Sequence, residues 1–412
     1  MNQSSNHTYD VIIIGGGAAG LFCAVSAKMK NNDLSIAILE KQDRVGKKLL
    51  VTGNGRCNLT NYNALPEMYH GSFKHGASYL LETTPPNMIV LLFEEMGLLT
   101  TYDHEGRVYP LSKQASSVLD VLRYNCEYYG VDTFTNSYVK SIKKHNDIFS
   151  VKTSESEIKG KCVVISTGSK ASPKTGADDT LINNMSSLGH TVSPLYPALS
   201  PVRVNSAYMK PLKGIRATGR VSLVINNDII KSESGEIQFT DNALSGICVF
   251  NLSSEANKNK GSYLSLSLLP DFDFLSVYNI LKNKQKFADK TATADKLFVG
   301  IFHRMIGMCL LKEAGISPND TITSVSDKAL KSLAKIINDW KFEVVPHKDF
   351  SKAQVVSGGI YGNDIDHKTM MSKKTKNLYI IGEALDCDGD CGGLNLQFAF
   401  SSAYCAACDL TK

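Results

Sequence analysis

The chain has 412 residues, of which 43% are hydrophobic and 21% are charged, and its formal net charge is +5. This length is more than one ordinary hydrophobic core organises, so we expect a soluble globular protein of two or three domains. No window has the run of apolar residues that a membrane span needs. The lysines are scattered without interleaved aromatic residues, which argues against nucleic acid as a partner.

The N-terminal residues 1–8 are polar and lack the basic start of a secretion signal, so we expect a cytoplasmic protein. The cytosol keeps thiols reduced, and most of the ten cysteines are expected to be small, buried, apolar residues. Cys387 and Cys391, and then Cys405 and Cys408, have spacings that metal ligands also show. Because the last two lie on a predicted helix among small apolar residues, we predict no metal site.

A glycine turn follows the first predicted strand, at residues 10–14. Gly15, Gly17 and Gly20 match G-x-G-x-x-G, and a helix is predicted from residue 18 to residue 29. The first glycine permits a tight turn, the second lets the backbone approach a pyrophosphate, and the third lets helix and strand pack closely. The helix N-terminus offers free N–H groups to phosphate oxygens.

The next predicted strand, residues 35–39, ends in Glu40, twenty residues after Gly20. A carboxylate at that position accepts hydrogen bonds from an adenosine ribose. An ordinary tight turn would explain the glycines but not the placed acid. The order of strand, turn, helix, strand and acid therefore predicts a dinucleotide site.

Residues 41–61 are dense in Gly, Asn, Thr and Lys and have little hydrophobic periodicity. This composition is typical of a loop that wraps a polar ligand with backbone groups and short side chains. A turn-rich surface loop is the alternative.

Helical periodicity is predicted over residues 77–100 and 112–130, and again over 272–338. Between residues 193 and 270 the pattern changes to short strand-like runs separated by turns, which favours a small barrel or sandwich. The predicted strands are 132–135, 138–143, 148–153, 157–159, 161–166, 198–204, 217–225, 236–239, 247–252, 263–269, 341–345 and 353–356.

The C-terminal residues 377–412 repeat the pattern of the N-terminal segment, a buried strand followed by glycines and a helix. A buried strand from residue 377 runs into Gly382-Glu383, and Gly392-Gly393 precede a predicted helix. In two-dinucleotide-fold flavoproteins the returning acid contacts the ribityl-phosphate region, and the helix N-terminus faces the pyrimidine end of the flavin. There is no second glycine fingerprint and hence no separate NAD(P)H domain. These features favour FAD over NAD as the bound dinucleotide.

Three segments resemble one bacterial family of NAD(P)/FAD-dependent oxidoreductases, which includes aminoacetone oxidases and bile-acid-reductase-like proteins. They are Gly15–Gly20, the Thr-Gly-Asn-Gly-Arg-Cys-Asn segment Thr52–Asn58, and Gly382-Glu383 with Gly392–Gln397. The second segment is far more specific than the glycine fingerprint. The resemblance implies an α/β fold with a discontinuous two-dinucleotide-binding, Rossmann-like FAD domain, an inserted β-barrel domain and a small helical domain.

The implied boundaries are 1–192 and 355–412 for the FAD domain, 193–270 with a return at 341–354 for the β-barrel, and 271–340 for the helical insert. By fingerprint and resemblance together, the expected FAD-binding residues are Gly15, Gly17, Ala18, Ala19, Gly20, Glu40, Lys41, Lys48, Thr52, Gly53, Asn54, Gly55, Arg56, Cys57, Asn58, Val139, Thr167, Gly168, Gly382, Glu383, Gly393, Asn395, Leu396 and Gln397. The resemblance places the isoalloxazine ring at Asn395–Gln397.

The chain departs from the family pattern at several positions. Ser169-Lys170 replace the usual Gly and small residue, Asp241 stands where His is common, and Ile247 where Pro is common. Ala403 replaces a usual Gly. The segments expected to bind the cofactor match the family pattern, whereas the insert departs from it. The substrate of any one relative therefore cannot be assigned directly to this chain.

Arg107 and Tyr109 are the candidate catalytic residues, because an arginine near a flavin polarises a carbonyl and a tyrosine donates a proton. The alternative is that Arg107 only stabilises the turn in which it lies. His303, on an apolar helix, is expected to be a core residue.

The leading hypothesis is hydride transfer through flavin N5 from NAD(P)H to an activated C=C bond of an enone, steroid or bile-acid-like molecule. An oxygen-dependent amine oxidase of the aminoacetone type is the second hypothesis, and a flavoprotein RNA-modification factor is the third. We expect a small-molecule substrate, no nucleic-acid or membrane partner, and a monomer or small homo-oligomer.

Overall fold

The computed structural model describes residues 7–412 and divides the chain into two compact units. The first unit runs up to Tyr196 and resumes at Phe350–Lys412, and the second is Pro197–Asp349. Each unit has its own large hydrophobic core. The second unit is therefore an insertion into the first.

The elements are as follows in chain order. Up to the unit boundary they are β1 (Thr8–Ile14), α1 (Ala18–Lys30), β2 (Ile36–Leu39), β3 (Thr60–Asn61), β4 (Tyr69–His70), α2 (Lys74–Thr83), α3 (Pro86–Glu95), β5 (Thr100–Tyr102), β6 (Arg107–Pro110), α4 (Ala115–Tyr128), β7 (Asp132–Phe134), β8 (Val139–His145), β9 (Ile148–Thr153), β10 (Glu157–Ile165), α5 (Thr180–Asn184) and β11 (Tyr196–Ala198). The inserted unit contains β12 (Val202–Asn205), α6 (Met209–Leu212), β13 (Arg216–Ile225), β14 (Asp228–Phe239), β15 (Ala243–Ser245), α7 (Ile247–Phe250), α8 (Ser253–Lys258), β16 (Tyr263–Ser267), α9 (Phe274–Phe287), α10 (Arg304–Glu313), α11 (Asp327–Asn338) and β17 (Trp340–Val344). The returning segment adds β18 (Val355–Ser357), β19 (Leu378–Ile380), β20 (Asp388–Gly389) and α12 (Leu394–Leu410).

A seven-stranded sheet forms the centre of the first unit. Its order is β7-β2-β1-β10-β9-β8, and β19 also pairs with β10. The pairs of β1 with β2, β1 with β10, β2 with β7 and β10 with β19 are parallel, while β9 and β8 are antiparallel additions. Strands covered on both faces need continuous apolar runs, which Val11–Ile14 and Ile36–Leu39 supply. Helices α1 and α12 pack against each other in this unit.

The second unit is built on a closed antiparallel barrel of six strands, in the order β12-β15-β14-β13-β16-β17. Helices α9, α10 and α11 contribute to the same core as the barrel strands. Trp340 is a fully buried side chain of this core and lies 4.9 Å from Phe342 between ring centroids. The predicted fold class, a Rossmann-like domain with an inserted β-barrel and helical elements, is confirmed.

Predictions of local structure were wrong in places. The helical region predicted over residues 77–100 contains two helices, because Pro85-Pro86 end α2 and begin α3. The chain leaves α3 after Glu95, and Thr100–Tyr102 form β5. The strand predicted over residues 198–204 is divided between β11 and β12. Residues 247–252, predicted as a strand, begin with the short helix α7, because Gly246 (φ +118°) turns the chain out of β15.

Within residues 7–412, no helix has both the length and the apolar character that crossing a membrane requires.

Candidate functional site

The glycine turn after β1 has the geometry predicted for it. Gly15 has φ +107°, and a Cβ on it would lie 2.5 Å from the Ser166 carbonyl oxygen of the neighbouring strand. A Cβ on Gly20 would lie 2.1 Å from the Gly15 carbonyl oxygen. A Cβ on Gly17 meets nothing within 4 Å, so this residue leaves an open face at the N-terminus of α1. Gly17 is the N-cap of α1 and brings no capping side chain.

Ser166 was not predicted, although it fixes this turn. Its hydroxyl donates to the carbonyl oxygens of Ile14 and Gly15 at 3.0 and 2.8 Å. The sequence signal is a small polar residue directly before Thr167-Gly168, at the end of the strand that pairs with β1.

Glu40 follows β2 and faces the glycine turn. Its Oε2 accepts a hydrogen bond from the Gly16 amide at 2.9 Å, and its Oε1 accepts one from the Gln42 amide at 2.8 Å. Two backbone amides therefore hold the carboxylate at the carboxyl end of the strand, where a ribose would be bound. The neighbouring Lys41 forms an ion pair with Asp178.

The loop that contains Thr52–Asn58 is backbone-strained. Left-handed φ values occur at Gly53 (+55°), Asn54 (+55°), Gly55 (+79°) and Cys57 (+55°). For residues with a Cβ this conformation is costly and is concentrated at functional sites. Cys57 is fully buried, and burial raises the pKa of its thiol to about 12. It is therefore a neutral thiol rather than a reactive thiolate.

The other members of this loop have distinct places. The Thr52 hydroxyl donates to the Leu49 carbonyl oxygen at 2.6 Å and fixes the start of the loop. The Arg56 guanidinium lies 5.3 Å from the centre of the Tyr109 ring. Asn58 has a buried Oδ1 with no hydrogen-bond partner among the described residues.

Glu383 joins three remote segments of the first unit. Its Oε2 pairs with Lys48 Nζ at 2.5 Å, and its Oε1 accepts from the Ser169 hydroxyl at 2.8 Å and the Val356 amide at 3.0 Å. Thr167-Gly168 lie beside it, since a Cβ on Gly168 would be 3.9 Å from the Glu383 carboxylate. Ser169, one of the departures from the family pattern, thus adds a donor to this carboxylate.

Helix α12 begins at the same site. Gly392 and Gly393 have φ +125° and +102°, and no side chain caps the helix. A Cβ on Gly393 would lie 2.8 Å from both Asn58 Oδ1 and the Thr60 carbonyl oxygen. The unpartnered amide oxygen and the uncapped helix N-terminus therefore lie side by side, although more than 330 residues separate them.

The side chains at the N-terminus of α12 make hydrogen bonds and packing contacts within the protein. Asn395 makes two hydrogen bonds to the backbone of Gly389, at 2.9 and 2.8 Å. Gln397 is buried and bonds Thr60, the Thr84 carbonyl oxygen and Ser401. Leu396 packs against the core. This leaves the backbone N–H groups of this turn, rather than its side chains, to face a ligand.

The remaining predicted residues lie around these elements. Ala18 and Ala19 begin α1, and Ala19 Cβ would lie 3.1 Å from a Cβ on Gly382, whose amide donates to Ser402. Val139 begins β8 and is buried.

Arg107 is held by two carboxylates of its own turn. Its Nε lies 2.8 Å from Asp103 Oδ2, and its Nη1 lies 2.9 Å from Glu105 Oε2. Tyr109, two residues on in β6, is buried, which raises the pKa of its hydroxyl. The catalytic roles of Arg107 and Tyr109 stay predictions.

His303 was wrongly expected in the core. It is exposed and caps α10, where its Nδ1 accepts from the Met305 amide at 3.2 Å. Among the described residues, no group of three or more His, Cys, Asp or Glu side chains is placed to hold a metal ion.

The site fits a dinucleotide on three observations. Gly17 opens the N-terminus of α1, where a phosphate would be bound. Lys48 supplies a cation next to Glu383. Asn58 Oδ1 supplies an acceptor beside the donors of α12, which matches the alternating N–H and C=O groups of a flavin pyrimidine edge. Fold and site together define a Rossmann-type, dinucleotide-dependent protein.

Comparisons with known proteins agree. The model of the family described as "HI0933-like protein Rossmann domain" matches residues 9–409. The chain is 31% identical to the 3-dehydro-bile acid delta(4,6)-reductase of Clostridium scindens over 399 residues, covering 96% of this chain and 97% of the relative. It is 27% identical to the ribosomal RNA dihydrouridine synthase of Escherichia coli over 403 residues, covering 98% of each chain. The corresponding synthase of Haemophilus influenzae is also 27% identical, over 97% of this chain and 98% of the relative.

Among solved structures, the 3-ketosteroid-delta4-(5alpha)-dehydrogenase of Rhodococcus jostii RHA1 superposes with a TM-score of 0.50 and 12% identity. The match covers 100% of this chain and 98% of that one, and it supports the fold. The chain belongs to the HI0933-like family. It is an FAD-dependent oxidoreductase.

Proposed function

We propose that this chain catalyses the NAD(P)H-dependent reduction of a carbon–carbon double bond conjugated with a carbonyl group. The enone of a steroid or bile-acid-like molecule is the substrate class that we favour. The observation that carries the proposal is the 31% identity to the Clostridium scindens 3-dehydro-bile acid delta(4,6)-reductase over nearly the full length of both chains.

FAD, when bound, would supply hydride chemistry through its N5 atom. The chain's own part is to bind, to orient and to stabilise charge. The N-terminus of α12 offers unpaired N–H groups and the positive end of a helix dipole to negative charge on the pyrimidine side. Tyr109 carries its proton at neutral pH, as a tyrosine of ordinary pKa already does, and burial raises its pKa further, so it is our candidate proton donor.

The electron donor in this proposal is a diffusible nicotinamide cofactor, because the sequence contains one glycine fingerprint and we assign that fingerprint, at α1, to FAD. Arg107 is our candidate for polarising the substrate carbonyl. Asp103 and Glu105 already neutralise this side chain, so we expect its effect to be on orientation more than on charge.

A uridine of ribosomal RNA is the second candidate substrate. Two relatives that are 27% identical over almost the whole chain are ribosomal RNA dihydrouridine synthases. The 5,6 double bond of uracil is conjugated with the C4 carbonyl, so its reduction is chemically the same step as reduction of an enone. One site chemistry therefore supports both candidates, and the substrates differ in how they are held.

The test is anaerobic reduction of the flavin in the purified protein by NADH or NADPH, followed by reoxidation with defined acceptors. The acceptors are a 3-oxo-4-ene steroid, unmodified ribosomal RNA and oxygen, with aminoacetone tested separately as a reductant. We expect a nicotinamide cofactor to bleach the flavin and a conjugated C=C acceptor to reoxidise it. If neither NADH nor NADPH bleaches the flavin, or if amines bleach it and only oxygen restores it, the proposal is wrong.

A further inference from the structure

An open groove of about 630 Å³ lies in the inserted unit, apart from the residues described above. Helix α9 and the segment that follows it form its walls. Its lining includes Ile280, Asn283, Lys284, Phe287, Asp289 and Lys296. Apolar side chains form part of the groove, and two lysines, one aspartate and an amide are placed around them.

The excess positive charge of the chain is concentrated in this unit. Residues 197–349 contain 20 Lys and Arg against 15 Asp and Glu, which equals the whole net charge of +5. The rest of the chain is balanced, with 25 of each sign. Residues 280–304 alone hold six cationic residues against two acidic ones. This stretch is therefore a local concentration of positive charge.

The two acidic residues of this stretch already have partners. Asp289 Oδ1 accepts from the Thr291 amide and hydroxyl at 2.7 and 2.6 Å. Asp295 accepts from the Thr293 hydroxyl and faces Lys296 at 3.4 Å. Lys296 is therefore paired, and Lys282 of α9 lies 3.3 Å from Asp327 of α11. Among the described residues, no carboxylate lies within ion-pair distance of Lys284, Lys286 or Lys290, so these three lysines keep their charge.

An exposed aromatic side chain stands among these lysines. Phe287, the last residue of α9, is 80% exposed. The Nζ of Lys286 lies 5.5 Å from its ring centre, and Lys284 reaches the Val299 carbonyl oxygen at 2.7 Å. An accessible ring flanked by cations is the combination that binds single-stranded nucleic acid, because bases stack on the ring while phosphates meet the charges.

We propose that this groove, bounded by α9 and residues 288–298, binds a single-stranded RNA segment. The inference rests on the second candidate of the proposed function and identifies the surface that would hold such a substrate. It differs from our sequence-based expectation of no nucleic-acid partner, which did not single out the lysines on either side of Phe287. A concave groove with Asn283 and Lys284 on its walls suits a nucleotide strand better than a flat lipid surface.

The test uses the full-length, FAD-loaded protein and a fluorescein-labelled, uridine-rich 20-nucleotide RNA, followed by fluorescence anisotropy at several salt concentrations. The groove variant is the triple substitution of Lys284, Lys286 and Lys290 to Gln. The matched control is Lys312, Lys328 and Lys335 to Gln, which removes the same charge from exposed positions of α10 and α11. We expect the groove variant to lower the slope of log K against log salt by about 2, at about 0.7 per lost phosphate contact. The control should keep the wild-type slope.

Phe287→Ala is the second variant, in case the triple variant misfolds by circular dichroism. It should weaken RNA binding about tenfold with an unchanged salt slope, because stacking is not an ionic contact. Equal binding by groove and control variants, or tighter groove-dependent binding to phosphatidylglycerol vesicles than to RNA, would overturn the inference. A wild-type protein that reduces the steroid enone but binds no RNA overturns this inference and leaves the proposed function intact. RNA binding that depends on the groove, without reoxidation of flavin by any conjugated acceptor, supports the surface and refutes the reaction.

Discussion

A substitution at Gly17 should weaken cofactor binding without changing the stability of the fold. A Cβ on this residue meets nothing within 4 Å, and its φ of −86° and ψ of −168° are open to alanine. Gly17→Ala should therefore leave the free energy of unfolding of the apoprotein within about 0.5 kcal/mol of wild type. The added methyl group would stand where a pyrophosphate approaches the backbone of α1.

Loss of one charge-assisted hydrogen bond costs about 1.5–3 kcal/mol, so the Kd for FAD should rise about ten- to hundredfold. The assay is titration of apoprotein with FAD by flavin fluorescence, beside urea unfolding of the same apoprotein. Gly20→Ala is the contrasting variant, because its Cβ would lie 2.1 Å from the Gly15 carbonyl oxygen and should destabilise the fold by about 1–3 kcal/mol or more. Wild-type FAD affinity in a folded Gly17→Ala protein would refute the assignment of this turn to the cofactor.

Three further predictions concern single side chains. Ser169→Ala removes a buried donor from the Glu383 carboxylate and should cost about 1–3 kcal/mol in urea unfolding, whereas unchanged stability would contradict the role given to this hydrogen bond. Cys57 should resist iodoacetamide at pH 7.5 in the native protein and react after unfolding, as followed by mass spectrometry, because it is buried with a pKa of about 12; stoichiometric labelling of the native thiol would count against this. Burial lowers the pKa of His190 below its ordinary 6.5, so the unfolded state binds more protons than the folded state at mildly acidic pH. The contribution of His190 to the free energy of unfolding should therefore be complete above pH 6.5 and fall as the pH drops below that value. In His190→Gln, the midpoint of thermal unfolding should depend less on pH between pH 7 and pH 5.

Local patterns predicted the parts of the fold where one principle dominates. Continuous apolar runs identified the parallel strands at Val11–Ile14 and Ile36–Leu39, since only strands covered on both faces need such runs. Predictions from hydrophobic periodicity were wrong where a proline or glycine in the same segment favours a different structure. The apolar periodicity over residues 77–100 concealed the helix break at Pro85-Pro86, and the apolar run from Ile247 concealed the turn imposed by Gly246.

The candidate site was predicted as three segments, and their mutual arrangement was not. Glu383 was expected near the ribityl-phosphate region, but its contacts to Lys48 and Ser169 follow from the pairing of β19 with β10. The position of Gln397 at the flavin ring stays a prediction, and the sequence did not indicate that its side chain joins α12 to Thr60 and Thr84. Side-chain direction on a helix depends on what packs around it, which sequence spacing alone does not specify.

The sequence by itself predicted the Rossmann-like fold and assigned a dinucleotide to its glycine turn, because the glycines, the helix and Glu40 follow in the fingerprint order within about thirty residues. It also identified the family through a loop of specific residues. Tertiary structure decided which residues that are remote in the sequence lie next to each other. It placed the unpartnered Asn58 oxygen beside the uncapped start of α12. This arrangement joins atoms that are remote in the chain, and only the packing of whole elements brings them together.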